Sequence, residues 1–347
     1  MMKTGILKDK RYLDHNMGEY HVETPDRLKA IYSMIEEEIH FPYYSITPRK
    51  ATADDILTIH SPEYYEFIRD TSGKERVFLD PDTSTNAWTF ETALLASGGV
   101  LQAADDIIEG KINNGFAFVR PPGHHAERSR AMGFCIFNNI AIAAEHLITN
   151  HRIKRILIAD WDIHHGNGTQ KSFYTRDDVL YFSTHQHPYY PGTGHWSETG
   201  EKKGKGYTVN IPLSLGKTDK DFAIIYNDIL LPIASQFHPE FILVSVGFDI
   251  YHQDPLGGML VTKAGFSFMT SILLKIADLY ANGRILFILE GGYNLQGLRE
   301  GSKKILLQIS GNCEPDPVTS EPSEILKKEL VPVIKTHKIF WDQLECI

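Results

Sequence analysis

The sequence has little cysteine. Three residues, Cys135, Cys313 and Cys346, are too few and too scattered for a disulfide framework or a paired-cysteine metal knuckle, and they fit a reducing compartment. Long apolar runs are missing as well: none approaches the roughly 18 residues of a membrane span. The stretch from Met1 to Gly5 lacks the apolar core of a signal peptide. The expectation is a cytoplasmic protein that does not associate with membranes. There is no excess of positive charge either. A net charge of −9 argues against direct nucleic-acid binding and is compatible with cationic substrates, although an acidic protein whose charge carries no message fits equally well. Internal repeats, low-complexity linkers and blocks of like charge are absent, and Glu36-Glu37-Glu38 reads as a solvated face. What remains is an ordinary globular composition, 42% hydrophobic, enough for a sizeable core in one large domain or two smaller ones.

Apolar, β-branched runs alternate with helical patterns, the signature of an α/β protein with a parallel sheet covered by helices on both faces. Strands are expected at 115–119, 155–159, 179–183, 207–211, 241–246 and 284–289, and helices at 26–39, 86–109, 138–149, 219–236 and 263–281. Thr85-Asn86 and Thr218-Asp219 read as helix starts, and Asn282-Gly283 as a helix stop. The alternation breaks near Gly311. The expectation is therefore one domain over residues 1–310, with 311–347 as a tail that forms a short helix and strand packed on the same domain.

The densest chemistry follows the run at 155–159, where Asp160-Trp161-Asp162-Ile163-His164-His165 places two carboxylates and two imidazoles in six residues. In an extended chain Asp160, Asp162 and His164 share one side. A lone Asp or His here would read as a solvated strand end. Together, at the end of a buried strand, such groups need a partner or a cation. Three other strand ends carry matching parts: Arg120-Pro-Pro-Gly-His124-His125, Gly247-Phe-Asp249, and Glu290-Gly-Gly-Tyr293. Ligands of open parallel sheets bind outside the carboxyl ends of strands.

Asp162, His164 and Asp249 make a three-ligand set with an open position, as a catalytic metal requires; zinc and ferrous iron both suit it. Water on such a metal is acidified toward neutrality, so one adjacent base completes a nucleophile. His124 and His125 are the candidates, with Asp160 and Asn167 available to orient them. Tyr293 stays protonated near neutral pH and can donate to an oxygen on which charge develops. His165 has no assigned part and reads as a packing residue. These elements describe metal-assisted hydrolysis of an amide or ester.

With those residues in view, the chain resembles the zinc-dependent histone deacetylase superfamily, nearest to its class II and bacterial amidohydrolase-like members. The resemblance runs in order through His21-Val-Glu-Thr-Pro-Asp-Arg27, Leu79-Asp-Pro-Asp-Thr83, Arg120 to His125, Gly133-Phe-Cys-Ile-Phe-Asn138, Asp160 to Gln170, Pro191-Gly-Thr-Gly194, Gly247 to Gly258 and Leu289 to Tyr293. It implies the arginase/deacetylase fold, a single α/β domain with an eight-stranded parallel sheet flanked by helices. It also implies one Zn2+ per chain held by Asp162, His164 and Asp249. By the same likeness His125 is the general base and acid, His124 its electrostatic partner and Tyr293 the carbonyl-polarising group. Asp160 supports His124, and Asn167 supports His125 where the family often has Asp. Gly133, Phe134 and Tyr190 correspond to the walls of a narrow acyl-lysine tunnel, with Tyr190 standing where Phe is usual. Asp80 corresponds to a rim aspartate that grips the substrate backbone, and Arg27 to an arginine near an internal acetate-release channel. A potassium ion is implied near Asp160, Asp162, His164, Ser183 and Thr184. Cys135 reads as a small packing residue.

The expected reaction is deacetylation of acetyl-lysine side chains in proteins or peptides, or of a related small acetylated amine, by metal-activated water. Polyamine-selective relatives carry a glutamate where this chain has Leu256, and an apolar residue removes the charge that would recognise an internal ammonium. Three alternatives stand beside it: an acetylpolyamine amidohydrolase, an arginase-like binuclear hydrolase, and a non-catalytic acyl-lysine-binding protein. The binuclear enzyme would need further carboxylates where Trp161 and Ile163 stand. The sequence assigns no oligomeric state.

Overall fold

The computed structural model describes residues 3–318 and 321–345. Cys346, Thr319 and Ser320 lie outside them. The strands in chain order are β1 (Thr4–Leu7), β2 (Tyr44–Ile46), the short β3 (Val77–Phe78) and β4 (Ser84–Thr85), β5 (Asn114–Ala117), β6 (Ile156–Asp160), β7 (Val179–Gln186), β8 (Thr208–Leu213), β9 (Phe241–Val246) and β10 (Ile285–Leu289). Between and after them lie α1 (Asp26–Glu38), α2 (Ala53–Leu57), α3 (Pro62–Arg69), α4 (Thr89–Ile108), α5 (Asn139–His151), α6 (Asn167–Phe173), α7 (Asp219–Ile225), α8 (Leu231–Phe237), α9 (Lys263–Tyr280), α10 (Leu295–Ile309) and α11 (Glu324–His337).

Eight strands form one sheet in the order β2-β1-β5-β10-β9-β6-β7-β8, and every pairing in it is parallel. β3 and β4 pair separately as a hairpin. All residues of β6, β9 and β10 are buried, which is why their sequences run apolar, save Asp160 and Ser245 at or near the strand ends, instead of alternating. Helices flank the sheet in two packed groups, α4 with α5 and the succession α1, α10, α9 and α7. This is the single α/β domain with an eight-stranded parallel sheet that the resemblance implies.

All six strands expected from the pattern are present, with ends shifted by up to three residues. β1 and β2 escape pattern reading: β2 has only three residues, and β1, four residues like β5, lacks the apolar run at 116–119 that marks β5. The expected helix start at Thr85-Asn86 falls early: Asn86 Oδ1 accepts from the Trp88 N–H at 3.2 Å and from Thr89 Oγ1 at 2.8 Å, a turn that precedes the helix. Thr218 does begin α7, in a reciprocal cap with Asp221. The expected helix at 219–236 is interrupted by a π turn over Tyr226–Leu230, just before Pro232, which has no N–H for the ladder. The tail departs from expectation too. It forms α11 but, among the described residues, no strand; its last stretch is anchored instead by Trp341, whose Nε1 donates to the Gly206 carbonyl at 3.0 Å.

Candidate active site

The strand order puts β5, β10, β9 and β6 side by side in the middle of the sheet. Their carboxyl ends are the four polar strand ends of the sequence, although those segments lie 30 or more residues apart in the chain. β6 ends at Asp160 in register with Ser245 of β9 and Ser183 of β7, and β10 runs in register with β9 to Leu289 and Val246.

Asp162, His164 and Asp249 offer donor atoms that all lie within 4.8 Å of one another. His164 Nδ1 is 3.1 Å from Asp162 Oδ1 and 3.2 Å from Asp249 Oδ2. Neighbouring amides fix the carboxylates: Asp162 Oδ2 accepts from the Gly291 N–H at 2.8 Å, and Asp249 Oδ1 from the Ile163 N–H at 2.9 Å. Apart from the His164 imidazole, the buried Asp249 Oδ2 has no hydrogen-bond partner among the described residues. Burial and the charge of Asp162 both push the Asp249 carboxyl well above its ordinary range. Two carboxylates forced together in the interior, with one acceptor left over, fit a dication, which would relieve both penalties. Gly291 matters for the same reason, since a Cβ there would run into both carboxylates.

The two histidines of the β5 loop stand beside this set, their rings 4.0 Å apart. His124 Nδ1 lies 3.1 Å from Asp160 Oδ2, which also accepts from the Tyr181 hydroxyl at 3.0 Å. His125 Nδ1 lies 2.8 Å from Asn167 Oδ1. The pair is electrostatically split. Burial disfavours charge on His124, but Asp160, Asp162 and Glu290 outweigh it and raise the ring to about 10. His125 is held well below its usual range by burial and by the charge of His124. With Nδ1–H donating to Asn167, the other nitrogen of His125 keeps a free lone pair.

Tyr293 completes the cleft. Burial pushes its phenol well above the ordinary value, so it keeps its proton. Its loop is gripped from below: Arg27 donates from Nε to the Gly292 carbonyl at 2.6 Å and from Nη2 to the Glu290 carbonyl at 2.5 Å, with its guanidinium 5.1 Å from the Tyr293 ring centre. Arg27 is itself held by Glu23 at 2.9 Å, and Glu23 also pairs with Arg120. Gly133, Phe134, Tyr190 and Leu256 line a cleft of about 180 Å³ that reaches His124, His125, Asp162, His164 and Tyr293. That is narrow beside the roughly 300–1,000 Å³ of ordinary ligand pockets. Gly133 takes a φ of +56°, and a Cβ there would strike the His125 ring.

One expectation needs adjustment. Asp80 does not line the cleft; its carboxylate accepts from the backbone N–H groups of Asp82 and Thr83 at 3.0 and 2.6 Å, and Asp82 is the wall residue. A short side chain at the start of a tight turn bonds its own turn before it reaches outward. His165 packs as expected, bonded to Thr193 at 2.7 Å and Gln170 at 3.0 Å. Other residues of the site were not singled out by the sequence. Glu290 accepts from the N–H groups of Gly123 and His124 at 2.7 and 3.2 Å and holds the histidine loop. Glu127 accepts from Asn167 Nδ2 at 2.6 Å, and Asp254 accepts from the Tyr293 N–H at 2.6 Å. For Glu290 a signal existed, a carboxylate closing an apolar strand just as Asp160 does. Glu127 and Asp254 sit in loops with no such mark.

Comparison with known proteins gives a consistent picture. Residues 21–309 match the histone deacetylase domain model. The chain is similar to a probable deacetylase of Archaeoglobus fulgidus, at 40% identity over 85% of this chain and 83% of that protein. It is 40% identical to histone deacetylase 15 of Arabidopsis thaliana over 98% of this chain, and 35% identical to histone deacetylase HDA1 of Saccharomyces cerevisiae over 98%. It spans 63% and 53% of the lengths of those two proteins. The crystal structure of the HDA15 HD domain superposes with a TM-score of 0.92 at 39% identity, covering 99% of this chain and 98% of that one.

Proposed function

Because the chain belongs to the histone deacetylase family, we propose that it is a zinc-dependent amide hydrolase that removes acetyl groups from lysine side chains of proteins or peptides. The observation that carries this reading is the convergence of Asp162, His164 and Asp249 within 4.8 Å beside the split histidine pair, at the floor of a narrow cleft. Zinc bound by these three residues would supply Lewis-acid polarisation and an acidified water. His125, neutral and oriented by Asn167 with Glu127 behind it, takes the proton of the attacking water and later returns it to the departing lysine amine. His124, held by Asp160, favours the cationic form and stabilises negative charge that develops beside it. Tyr293 donates its hydroxyl proton to the acetyl oxygen as that atom becomes anionic.

The walls Gly133, Phe134, Tyr190 and Leu256 suit an unbranched aliphatic stem, and Asp82 at the mouth is placed to accept from a substrate N–H. Trp161 and Ile163 are fully buried, which supports one catalytic metal over a binuclear arrangement. A potassium ion near Asp160, Asp162, His164, Ser183 and Thr184 belongs to the same reading, supported by the buried Oγ1 of Thr184, which has no hydrogen-bond partner among the described residues. Residues 1–310 make the catalytic unit and 311–347 a tail, the described part of which docks on it through the buried Leu326, Leu330 and Val333. The free thiols Cys135 and Cys313 support a cytoplasmic setting. Among the described residues no helix is long and apolar enough to cross a membrane.

The deciding experiment assays metal-depleted and zinc-restored protein on acetyl-lysine peptides, longer acyl-lysines and acetylputrescine. Activity should appear on zinc restoration, with a higher kcat/KM for an acetyl-lysine peptide than for acetylputrescine. The reverse preference would replace the substrate assignment, and full activity without metal would overturn the mechanism.

A further inference from the structure

A second set of metal-type donors converges where α4 meets α5, apart from the cleft. His146 Nε2 and His151 Nε2 each lie 2.6 Å from the same oxygen, Asp105 Oδ1, and the two rings are 5.1 Å apart. All three donor atoms lie within 4.8 Å of one another. Side chains five residues apart on a regular helix point about 140° away from each other. Periodicity therefore does not explain the convergence of His146 and His151. His151 is the last residue of α5, followed by Arg152 in the left-handed region at φ 58°, and from that helix end its ring reaches Asp105.

Asp105 has no lysine or arginine partner among the described residues; its ion pairs are with these two imidazoles. Burial pushes its carboxyl up, but the hydrogen bonds from His146 and His151 outweigh that and hold it below the ordinary value, so it is anionic near neutral pH. The side chains of Asp105, His146 and His151 are 19%, 9% and 22% exposed, sheltered yet open to an ion from solvent. The inner nitrogen of His146 is also engaged: Nδ1 lies 2.9 Å from the Asn150 side-chain amide. With the amide turned over, its oxygen accepts from Nδ1–H and leaves Nε2 free as a ligand, the outer contact that metal-bound imidazoles commonly make.

We propose that Asp105, His146 and His151 bind a divalent transition-metal ion of the zinc type that pins the end of α4 to the end of α5. Two imidazoles and one carboxylate are a first-row transition-metal donor set, whereas calcium and magnesium prefer oxygen throughout. Two donors on a tetrahedral zinc are roughly 3.3 Å apart, so the present 2.6 Å spacings widen by under about 1 Å on binding. The site has a structural consequence at the other end of α5. There Asn138 Nδ2 donates to the Ala126 carbonyl at 3.2 Å and Asn139 Nδ2 to the Pro121 carbonyl at 3.1 Å, on either side of the His124-His125 loop. An ion at Asp105 would steady the helix whose N-terminal end braces that loop.

The test is equilibrium dialysis of the holoenzyme against graded zinc, read by elemental analysis, with a parallel thermal melt. Wild type should take up one equivalent more than the His146→Gln/His151→Gln double variant, whatever number the catalytic centre holds. Zinc should raise Tm by about 2 °C or more in wild type alone, and magnesium should do neither. His151→Gln by itself, at an accessible helix end, should weaken the extra equivalent by roughly tenfold or more, since losing even an outer-shell partner costs about 10- to 100-fold. Equal zinc content in wild type and both variants across the titration overturns the site, as does an equal zinc-induced rise in Tm. In either case the cluster is only a hydrogen-bonded contact between two helices.

Discussion

At the scale of single residues, the site separates groups of the same kind by their surroundings. His124 and His125 are adjacent in sequence, yet one faces three carboxylates and the other a carboxamide, so one favours charge and the other resists it. Tyr293 is kept protonated by burial, which makes it a donor. Tyr293→Phe should lower kcat on an acetyl-lysine peptide by roughly 10²-fold or more and leave KM near its wild-type value, the behaviour of a lost oxyanion donor. Unchanged turnover in steady-state assays of the zinc-loaded variant would remove Tyr293 from that role. Most of the candidate site was legible at this scale, because Asp160, Asp162, His164 and the His124-His125 pair are improbable neighbours for an apolar strand. Glu127 was not legible. Its contact with Asn167 bridges 40 residues and nothing in its local sequence marks it.

At the scale of elements, long strands and helices announced themselves by pattern, while short or interrupted ones did not. α10 contains two glycines, which lower its helical signal. The connection between α2 and α3 carries a consequence for pH. His60 is buried, its Nδ1 lies 2.9 Å from the Glu127 carbonyl, and its Nε2 accepts from the Asn138 N–H at 2.9 Å. That arrangement fixes the neutral ring, and burial pushes its pKa down to about 4. Between about pH 6.5 and pH 4 the unfolded chain therefore binds a proton that the folded chain refuses. The stabilisation is complete above pH 6.5 and is lost as pH falls through that window, by on the order of 3 kcal/mol at most. Urea unfolding at pH 7, 6 and 5 should show a falling midpoint for the wild type and a flatter trend for His60→Gln, whose starting stability at pH 7 should be lower. Parallel pH trends in the two proteins would assign the acid sensitivity to other groups.

At the scale of the whole molecule, α11 and the chain after it close the sheet at its outermost strand. Glu329 of α11 accepts from the Ser214 N–H just beyond β8 at 3.2 Å and pairs with Lys217 at 3.0 Å, while Trp341 packs on Tyr207 and Phe237. Uncovering an edge strand invites pairing with another chain. Truncation after Pro322 should lower Tm and make the protein aggregate at high concentration. Losing Trp341 alone removes roughly 3 kcal/mol, or about 4 °C in Tm. A truncated protein with the wild-type melting curve and light scattering would show that the tail is dispensable. The sequence by itself determined the α/β class, six of the eight strands of the large sheet, and which loops bear carboxylates, imidazoles and a phenol, because side-chain period and residue type are local properties. Tertiary structure alone decided that β5, β10, β9 and β6 are neighbours, that Asp82 and not Asp80 faces the cleft, and that Asp105 meets His146 and His151. Strand order is set by how helices pack across the sheet, and a side chain's partner is set by which strand or helix arrives beside it; neither is written in the residues that flank it.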